Sequence, residues 1–290
     1  MSSAPVAPEL AFARPARLAK QLARACHPIP TLGVTTFAVV LGILTGCRSS
    51  TVVVLGGAVL CGQLTVGWSN DRIDARRDAL AGRRDKPLAT GTVPPRAVDV
   101  AIAAAVVSAV ALSLLLGVRA GLLHLAAVTC GWIYNAGAKS TLWSWVPYAV
   151  AFGALPAVAT LAAHPDRAPS LWLVGAGATL GVVAHLTNVL PDLAADERTG
   201  VRGLPHLLGA RRSLLVSCVL LVGTTLFVVF GPAGAISPWR YAALGVLTTL
   251  CTAGCWWTLR RLPTRATFYG LFFVVAAELV LVATTTDHLR

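Results

Sequence analysis

Nine long apolar segments, separated by short polar connections, set the class of fold that is open to this chain. They cover approximately residues 31–47, 51–68, 97–118, 120–136, 143–163, 170–190, 213–231, 239–259 and 267–286. Segments of this kind cross a hydrocarbon core of about 30 Å as helices. Hydrophobic residues make up 56% of the chain and charged residues 12%, whereas a soluble domain carries roughly 25% charged residues. We therefore expect an all-α, polytopic membrane protein with nine transmembrane helices, and we exclude secreted, disordered and fibrous proteins.

The basic residues predict how the chain is oriented in the membrane. Alternate connections contain 19 and 5 of the Lys and Arg residues, and the positive-inside rule assigns the richer side to the cytoplasm. We expect an integral protein of the cell membrane whose N-terminus and loops 69–96 and 191–212 are cytoplasmic and whose C-terminus is outside. The net charge of +12 is spread between apolar segments, which argues against nucleic acid as a partner.

The N-terminal residues differ from the rest of the chain. Arg17, Lys20 and Arg24 alternate there with apolar residues, a basic amphipathic pattern that suits a membrane interface. We therefore expect two parts, a cytoplasmic interfacial segment over residues 1–30 and a membrane domain over residues 31–290.

Two polar motifs occur in the two predicted cytoplasmic loops. The first consists of Asn70, Asp71, Asp74 and Asp78, and the second of Asn188, Asp192 and Asp196. A shift of the sequence by 118 residues aligns them with seven identities in 22 positions, which indicates an internal repeat. Four apolar segments separate the copies, an even number, so we expect two repeats of parallel orientation around a central cavity.

The composition of the motifs indicates a metal and an anion. A spacing of four places the polar groups along one helix face, and carboxylates that close repel one another unless a cation lies between them. Oxygen ligands without His or Cys suit Mg²⁺, which binds through one or two carboxylates together with phosphate oxygens. The first motif is followed by Arg83, Arg84 and Lys86 and the second by Arg198 and Arg202, and these side chains can donate hydrogen bonds to anionic oxygens. The residues thus predict a site for Mg²⁺ and a diphosphate.

The pattern N-D-x-x-D-x-x-x-D at 70–78, followed by D-x-x-x-D at 192–196, resembles the two aspartate-rich motifs of the UbiA superfamily of intramembrane prenyltransferases. The stretches at 86–91, 134–139 and 200–209 are similar to three further segments of that family. In the last stretch Gly203-Leu204-Pro205 stands where the family usually has T-L-A. The resemblance covers about residues 25–270, and it implies a nine-helix fold whose central cavity holds an isoprenyl diphosphate.

The resemblance also implies a reaction and roles for residues. Two Mg²⁺ ions on the two motifs would draw the diphosphate from an allylic carbon, and a small aromatic or other lipophilic acceptor would attack the carbocation. The metal ligands would be Asn70, Asp71, Asp74, Asp78, Asn188, Asp192 and Asp196. The diphosphate ligands would be Arg84, Lys86, Lys139 and Arg202. The catalytic residues would be Lys139, Tyr134 and Asn135, together with His185, which lies one turn before the second motif.

Other functions stay open at this point. A terpene cyclase, or prenyl transfer to an acceptor that is not aromatic, would use the same diphosphate site. An ion-coupled transporter is more remote, because transporter sites lie near the bilayer midplane, whereas these acids cluster at the predicted cytoplasmic helix ends. Glu278 lies within the last apolar segment, where an acid needs a partner or a cavity.

Overall fold

The computed structural model describes residues 9–198, 200–234, 236–260 and 265–284. Over these residues the chain is helical and contains no strand, which confirms the expected all-α class. The α-helices are α1 (Glu9–Ala25), α2 (Pro28–Leu44), α3 (Ser49–Leu80), α4 (Pro95–Leu115), α5 (Val118–Ala136), α6 (Val146–Ala163), α7 (Leu171–Val189), α8 (Leu193–Arg198), α9 (Leu204–Phe230), α10 (Pro238–Leu259) and α11 (Arg265–Ala283). Two 3₁₀ turns, Ala138–Ser140 and Leu190–Asp192, follow α5 and α7.

Several of these helices can span a membrane. Within the described ranges, six are long and apolar enough, and the count is seven if the bent pair Pro15–Ala25 and Pro28–Leu44 forms one span. Each of the nine apolar segments of the sequence overlaps one of the helices α2–α7 and α9–α11. Helix α5 is not among the six, and it carries two buried polar residues, His124 and Asn135. The membrane-embedded class is confirmed, whereas the count of nine stays a prediction.

The helices pack largely in chain order, and α11 closes the bundle. Each of α2 to α7 contacts its successor or the next helix but one, and α11 returns to contact α2, α7 and α9. Small residues permit close contacts: a Cβ on Gly177 would lie 2.6 Å from the carbonyl oxygen of Phe152, and one on Gly181 would lie 2.4 Å from that of Tyr148. Such positions let helix backbones approach in a membrane. They hold α7 against α6 beside the central cavity.

The two aspartate-rich motifs differ in local structure. Helix α3 has 32 residues and is about 48 Å long at a rise of 1.5 Å per residue, so the whole first motif lies on one continuous helix. The second motif is interrupted: Asn188 lies in the last turn of α7, Asp192 lies in the 3₁₀ turn, and Asp196 belongs to α8. Pro191 explains the break, because proline lacks the N–H that a continuing helix needs. The expectation of one helix face is met by the first motif and not by the second.

Glycines after both motifs share an unusual backbone conformation. Gly82 and Gly200 have φ values of 69° and 81°, and Gly91 and Gly209 have values of 69° and 73°. These are left-handed conformations that favour glycine. Both pairs are separated by 118 residues, so they are consistent with the predicted repeat.

The chain bends by 71° between Pro15–Ala25 and Pro28–Leu44. His27 lies at the bend with a φ of 55°, a left-handed conformation that is uncommon outside glycine. Leu22 is fixed to α3, since its carbonyl oxygen accepts a hydrogen bond of 2.9 Å from the Trp68 indole. Helix α1 therefore lies across the end of the bundle at which the first motif is found.

The acid within the last apolar segment has a partner on α9. Glu278 is 5% exposed, and the hydroxyl of Thr225 donates a hydrogen bond to its Oε1. Its other carboxyl oxygen has no hydrogen-bond partner in the described part of the chain.

Candidate active site

A cavity of about 590 Å³ lies between the helices. Its polar end is formed by Asn70, Asp74, Arg77, Asp78, Arg83, Lys86, Lys139, Asn188, Asp192 and Asp196. The rest of the cavity, the apolar chamber, is lined mainly by Val34, Phe37, Val59, Val66, Val128, Phe152, Leu155, Leu180 and Val275. Both aspartate-rich motifs therefore contribute to one end of a single cavity whose other end is hydrophobic.

Among the carboxylates of the first motif, Asp74 has the most contacts with nitrogen donors. Lys139 Nζ donates hydrogen bonds of 2.7 and 2.6 Å to its two oxygens. Arg77 Nη2 lies 2.7 Å from Asp74 Oδ2, and Asn70 donates a bond of 3.3 Å to the same oxygen. Asp74 and Asp78 are 6% and 8% exposed. Three nitrogen donors thus converge on one buried carboxylate at the polar end.

Asn135 and Lys139 reach α3 from the end of α5. Asn135 accepts a hydrogen bond of 3.2 Å from Asn70 and donates to the Val66 carbonyl and the Ser69 hydroxyl at 2.8 and 2.9 Å. Asn135 therefore fixes the amide of Asn70 beside Asp74. Burial lowers the pKa of Lys139, although its hydrogen bonds to Asp74 and the charge of Asp74 act to raise it.

The second motif forms the opposite part of the polar end. Arg83 Nη1 lies 3.5 Å from Asp192 Oδ1, so the loop after the first motif contacts the second. Burial raises the pKa of Asp196 to about 6, and the neighbouring charge of Asp192 adds to the effect. Asn188 donates a weak hydrogen bond of 3.5 Å to the Tyr148 hydroxyl. The carboxylates of this motif lie close enough to perturb one another.

The donor set at the polar end fits Mg²⁺ bound together with a phosphate. Asp74, Asp78, Asp192 and Asp196 supply oxygen ligands from two parts of one cavity. No group of three or more His, Cys, Asp or Glu residues in the described ranges could hold a metal by itself. That arrangement matches the preference of Mg²⁺ for one or two carboxylates, water and substrate phosphate over a cage made of protein ligands.

Asp71 lies apart from the other acids of its motif. It is 2% exposed and is not among the residues that line the cavity. Lys86 Nζ donates a hydrogen bond to Asp71 Oδ1, and His27 Nε2 lies 3.1 Å from both that oxygen and Lys86 Nζ. The Asp71 side chain is directed towards the bend between α1 and α2, where it contacts His27 and Lys86. Its geometry suits a residue that positions Lys86 better than it suits the metal ligand expected from the sequence.

We expect Asp71→Asn to lower turnover about tenfold, since a buried ion pair is broken, without changing the Mg²⁺ concentration that gives half-maximal rate. A Mg²⁺ titration of the purified variant measures this, with Asp74→Asn as the comparison whose Mg²⁺ requirement should rise. A large rise for Asp71→Asn would restore the assignment as a metal ligand.

The structure separates the basic residues that were expected to bind the diphosphate. Lys86 and Lys139 line the polar end, whereas Arg84 and Arg202 are exposed and lie outside the cavity wall. The sequence interpretation missed Arg77, and it counted Arg83 among the possible donors without choosing it as a ligand of the diphosphate. Arg77 could have been found, because it lies three residues after Asp74 on the same helix face. No spacing rule distinguishes Arg83 from its neighbour Arg84.

His185 belongs to an aromatic cluster beside the second motif. Its ring centroid lies 5.6 Å from that of Tyr134 and 5.1 Å from that of Tyr148, and the two tyrosine rings lie 5.1 Å apart. Ser144 Oγ lies 3.0 Å from His185 Nε2 and accepts a bond of 3.0 Å from the Leu204 amide. The structure therefore brings Tyr134 and His185 together at the junction of the polar end and the apolar chamber.

Comparison with known proteins agrees with this geometry. Residues 27–277 match the family model described as the UbiA prenyltransferase family. The bacteriochlorophyll synthase 33 kDa chain of Cereibacter sphaeroides is 30% identical over 247 residues, with 77% of this chain and 80% of that protein covered.

Solved structures of low sequence identity share the fold. A UbiA homologue from Archaeoglobus fulgidus bound to GPP and Mg²⁺ has a TM-score of 0.72 at 15% identity, covering 92% of this chain and 99% of that one. The apo UbiA homologue from Aeropyrum pernix K1 has a TM-score of 0.68 at 18% identity, covering 88% and 96%. With the family model matching most of its length, the chain belongs to the UbiA prenyltransferase family.

Proposed function

We propose that this protein transfers an isoprenyl group from its diphosphate to a lipophilic, aromatic acceptor, and that the transfer depends on Mg²⁺. The observation that carries the proposal is the division of one cavity into an end with carboxylates and basic residues and a chamber with apolar walls. A prenyl diphosphate has the same division between its charged and hydrocarbon parts. The Archaeoglobus fulgidus homologue was solved with GPP and with DMAPP, each together with Mg²⁺, which supports this choice of donor.

The polar end binds and orients the diphosphate. The carboxylates of the two motifs would hold Mg²⁺, which would stabilise the negative charge of the leaving diphosphate. Lys139 and Arg77 both contact Asp74, so they lie next to any diphosphate bound there and can donate hydrogen bonds to its oxygens. Arg83 offers a planar donor from the side of Asp192.

The apolar chamber protects the reacting carbon. The bond between the allylic carbon and the diphosphate oxygen breaks with its electron pair passing to the oxygen. The acceptor then gives an electron pair to that carbon and loses a proton. Tyr134, Tyr148 and Phe152 offer aromatic rings beside the polar end, and such rings attract developing positive charge. The hydrophobic walls keep water from competing with the acceptor.

Two observations bear on the alternatives. The acids of the first motif lie in the C-terminal part of α3 and those of the second follow the end of α7, so neither set lies in the middle of a span, which disfavours a transporter site at the bilayer midplane. A relative is a bacteriochlorophyll synthase by name, which favours transfer to an acceptor over cyclisation of the prenyl chain.

The test uses the full chain in lipid nanodiscs with radiolabelled geranyl diphosphate and Mg²⁺, with and without hydroxylated aromatic acceptors. We expect a prenylated product that requires both acceptor and metal. A cyclic terpene formed without acceptor would identify a cyclase, and product formed at an unchanged rate in a chelator would contradict the role of Mg²⁺.

We further propose that the polar end faces the cytoplasm and that residues 1–30 lie at the cytoplasmic membrane interface. Residues 31–290 would then contain nine spans in total, arranged as two repeats of parallel orientation. The uneven distribution of Lys and Arg supports the orientation, and the shared glycine conformations support the repeat. A reporter inserted after Arg96 should read the cytoplasm and one after Arg290 the outer side. Reporters that read the same side would contradict this topology.

A further inference from the structure

His124 is a polar residue in the wall of the apolar chamber. It lies on α5, is 2% exposed and lines the cavity. Its Nδ1 is 2.7 Å from Ser113 Oγ. The single proton of that hydroxyl is already donated to the carbonyl oxygen of Ala109, so Ser113 accepts a hydrogen bond from Nδ1–H of His124. This fixes the tautomer and leaves Nε2 as an acceptor with a lone pair.

Gln63 lies at the same level on the neighbouring helix. It lines the cavity together with Val59, Gly67 and Asn70, which share its face of α3. The His124 ring packs against Gly62, the residue before Gln63, since a Cβ on Gly62 would lie 3.3 Å from His124 Nε2. Across the described part of the chain, the Gln63 amide has no hydrogen-bond partner, and neither does His124 Nε2.

Gln63 and His124 Nε2 face the cavity without a hydrogen-bond partner in the described part of the protein, although the chamber around them is mainly apolar. Polar groups inside a membrane are characteristic of functional sites. Gln63 precedes Asn70 by seven residues, so it lies about 10 Å from the polar end along α3 at 1.5 Å per residue. It is therefore too distant to contact a diphosphate held at the aspartates.

The hydrocarbon chain of the donor cannot satisfy these groups, because it has no polar atom beyond the diphosphate. The hydrocarbon chain can lie instead along the other side of the chamber, which is apolar. That side is formed by Phe37, Phe152, Leu180 and Val275, on α2, α6, α7 and α11. The chamber thus has one hydrocarbon side and one side, on α3 and α5, that offers hydrogen bonds.

We propose that Gln63 and His124 bind a polar group at the far end of the acceptor. The inference rests on the proposed transfer reaction and specifies its second substrate. The acceptor is an elongated lipophilic molecule whose nucleophilic atom lies near the polar end. At its opposite end it carries a hydroxyl or N–H, which donates to His124 Nε2 and can exchange hydrogen bonds with the Gln63 amide.

The test compares two acceptors that differ in the distal group alone. 2,6-Dihydroxynaphthalene has hydroxyls at opposite ends of two fused rings, and 2-naphthol lacks one of them. With geranyl diphosphate and Mg²⁺, we expect wild-type protein to show a kcat/KM at least about tenfold higher for the dihydroxy compound, the scale of one or two buried hydrogen bonds. Gln63→Leu and His124→Leu should abolish this preference and leave the KM for geranyl diphosphate within about twofold.

The matched control is Thr129→Val on α5, a polar to apolar change of equal size at an exposed position whose hydroxyl bonds to Leu125 of its own helix. It should keep the preference. Equal use of the two acceptors by wild-type protein, or a preference that survives in both leucine variants, would overturn the inference while transfer itself stands. Consumption of geranyl diphosphate without prenylation of either naphthol would contradict transfer to an aromatic acceptor, and with it this inference.

Discussion

Asp74→Asn and Asp192→Asn are each expected to lower turnover by about a hundredfold or more, the scale on which the loss of a key electrostatic stabiliser acts. The two carboxylates lie on different motifs and face the same polar end. If each holds metal on a shared diphosphate, the loss of either leaves the leaving group poorly stabilised. The double variant should be little slower than either single one, because both changes disable the same bond-breaking step.

Asp99→Asn is the matched control for these two changes. Asp99 carries the same charge but is exposed and pairs with Arg72, with 2.8 Å between Oδ1 and Nε. Its replacement should leave turnover within about twofold, since exposed ion pairs contribute little. Steady-state rates with geranyl diphosphate measure all four variants. Near-normal activity of Asp192→Asn would remove the second motif from the mechanism.

Arg83→Gln is expected to weaken geranyl diphosphate binding and lower kcat/KM by about tenfold to a hundredfold. Arg83 lines the polar end, lies 3.5 Å from Asp192 and carries two hydrogen bonds of 3.0 Å to Asp85 that hold its guanidinium in place. A planar donor held in this way makes charge-assisted hydrogen bonds that a neutral amide does not replace.

The adjacent arginine is the natural comparison. Arg84 has the same charge in the same loop, yet it is exposed and outside the cavity wall, so Arg84→Gln should change kcat/KM by less than about twofold. A competition assay of geranyl diphosphate binding in the presence of Mg²⁺ separates the effect of each substitution on affinity from its effect on turnover. The opposite order, with Arg84→Gln the more damaging change, would support the sequence-based choice of Arg84 as a ligand.

Much of the fold could be predicted from hydropathy, because the solvent around a transmembrane helix is uniform and apolar residues alone identify it. The boundaries of the helices were harder to predict from the sequence. The segment predicted at 51–68 belongs to helix α3, which continues to Leu80, since charged residues can extend a helix beyond the hydrocarbon core. The break in the second motif could have been anticipated from Pro191, and the bend at His27 from Pro28, since the residue before a proline is disfavoured in the helical region; the contacts of His27 with Asp71 and Lys86 could not.

The candidate site was predictable in its chemistry and less so in its individual members. Residue types and spacing identified Asp74, Asp78, Asp192 and Asp196, because four-residue spacing decides which side chains share a face. Asp71, three residues before Asp74, was placed at the edge of this face, whereas the structure directs its side chain to His27 and Lys86. The choice between Arg83 and Arg84 depends on loop residues near Gly82 with its φ of 69°, and the polar pair in the chamber wall is invisible until α3 and α5 are seen side by side.

The contacts around Asp74 have a consequence for the protein before it meets its substrate. Lys139 and Arg77 neutralise this buried carboxylate and Asn70 donates a hydrogen bond to it, so the protein supplies its own counter-ions to Asp74. A chelator should therefore stop catalysis and leave the melting temperature unchanged, unlike proteins that fold around their metal. The Asp74 carboxylate is therefore not an isolated negative charge inside the protein, and a bound Mg²⁺ would have to compete with Lys139 and Arg77 for its oxygens.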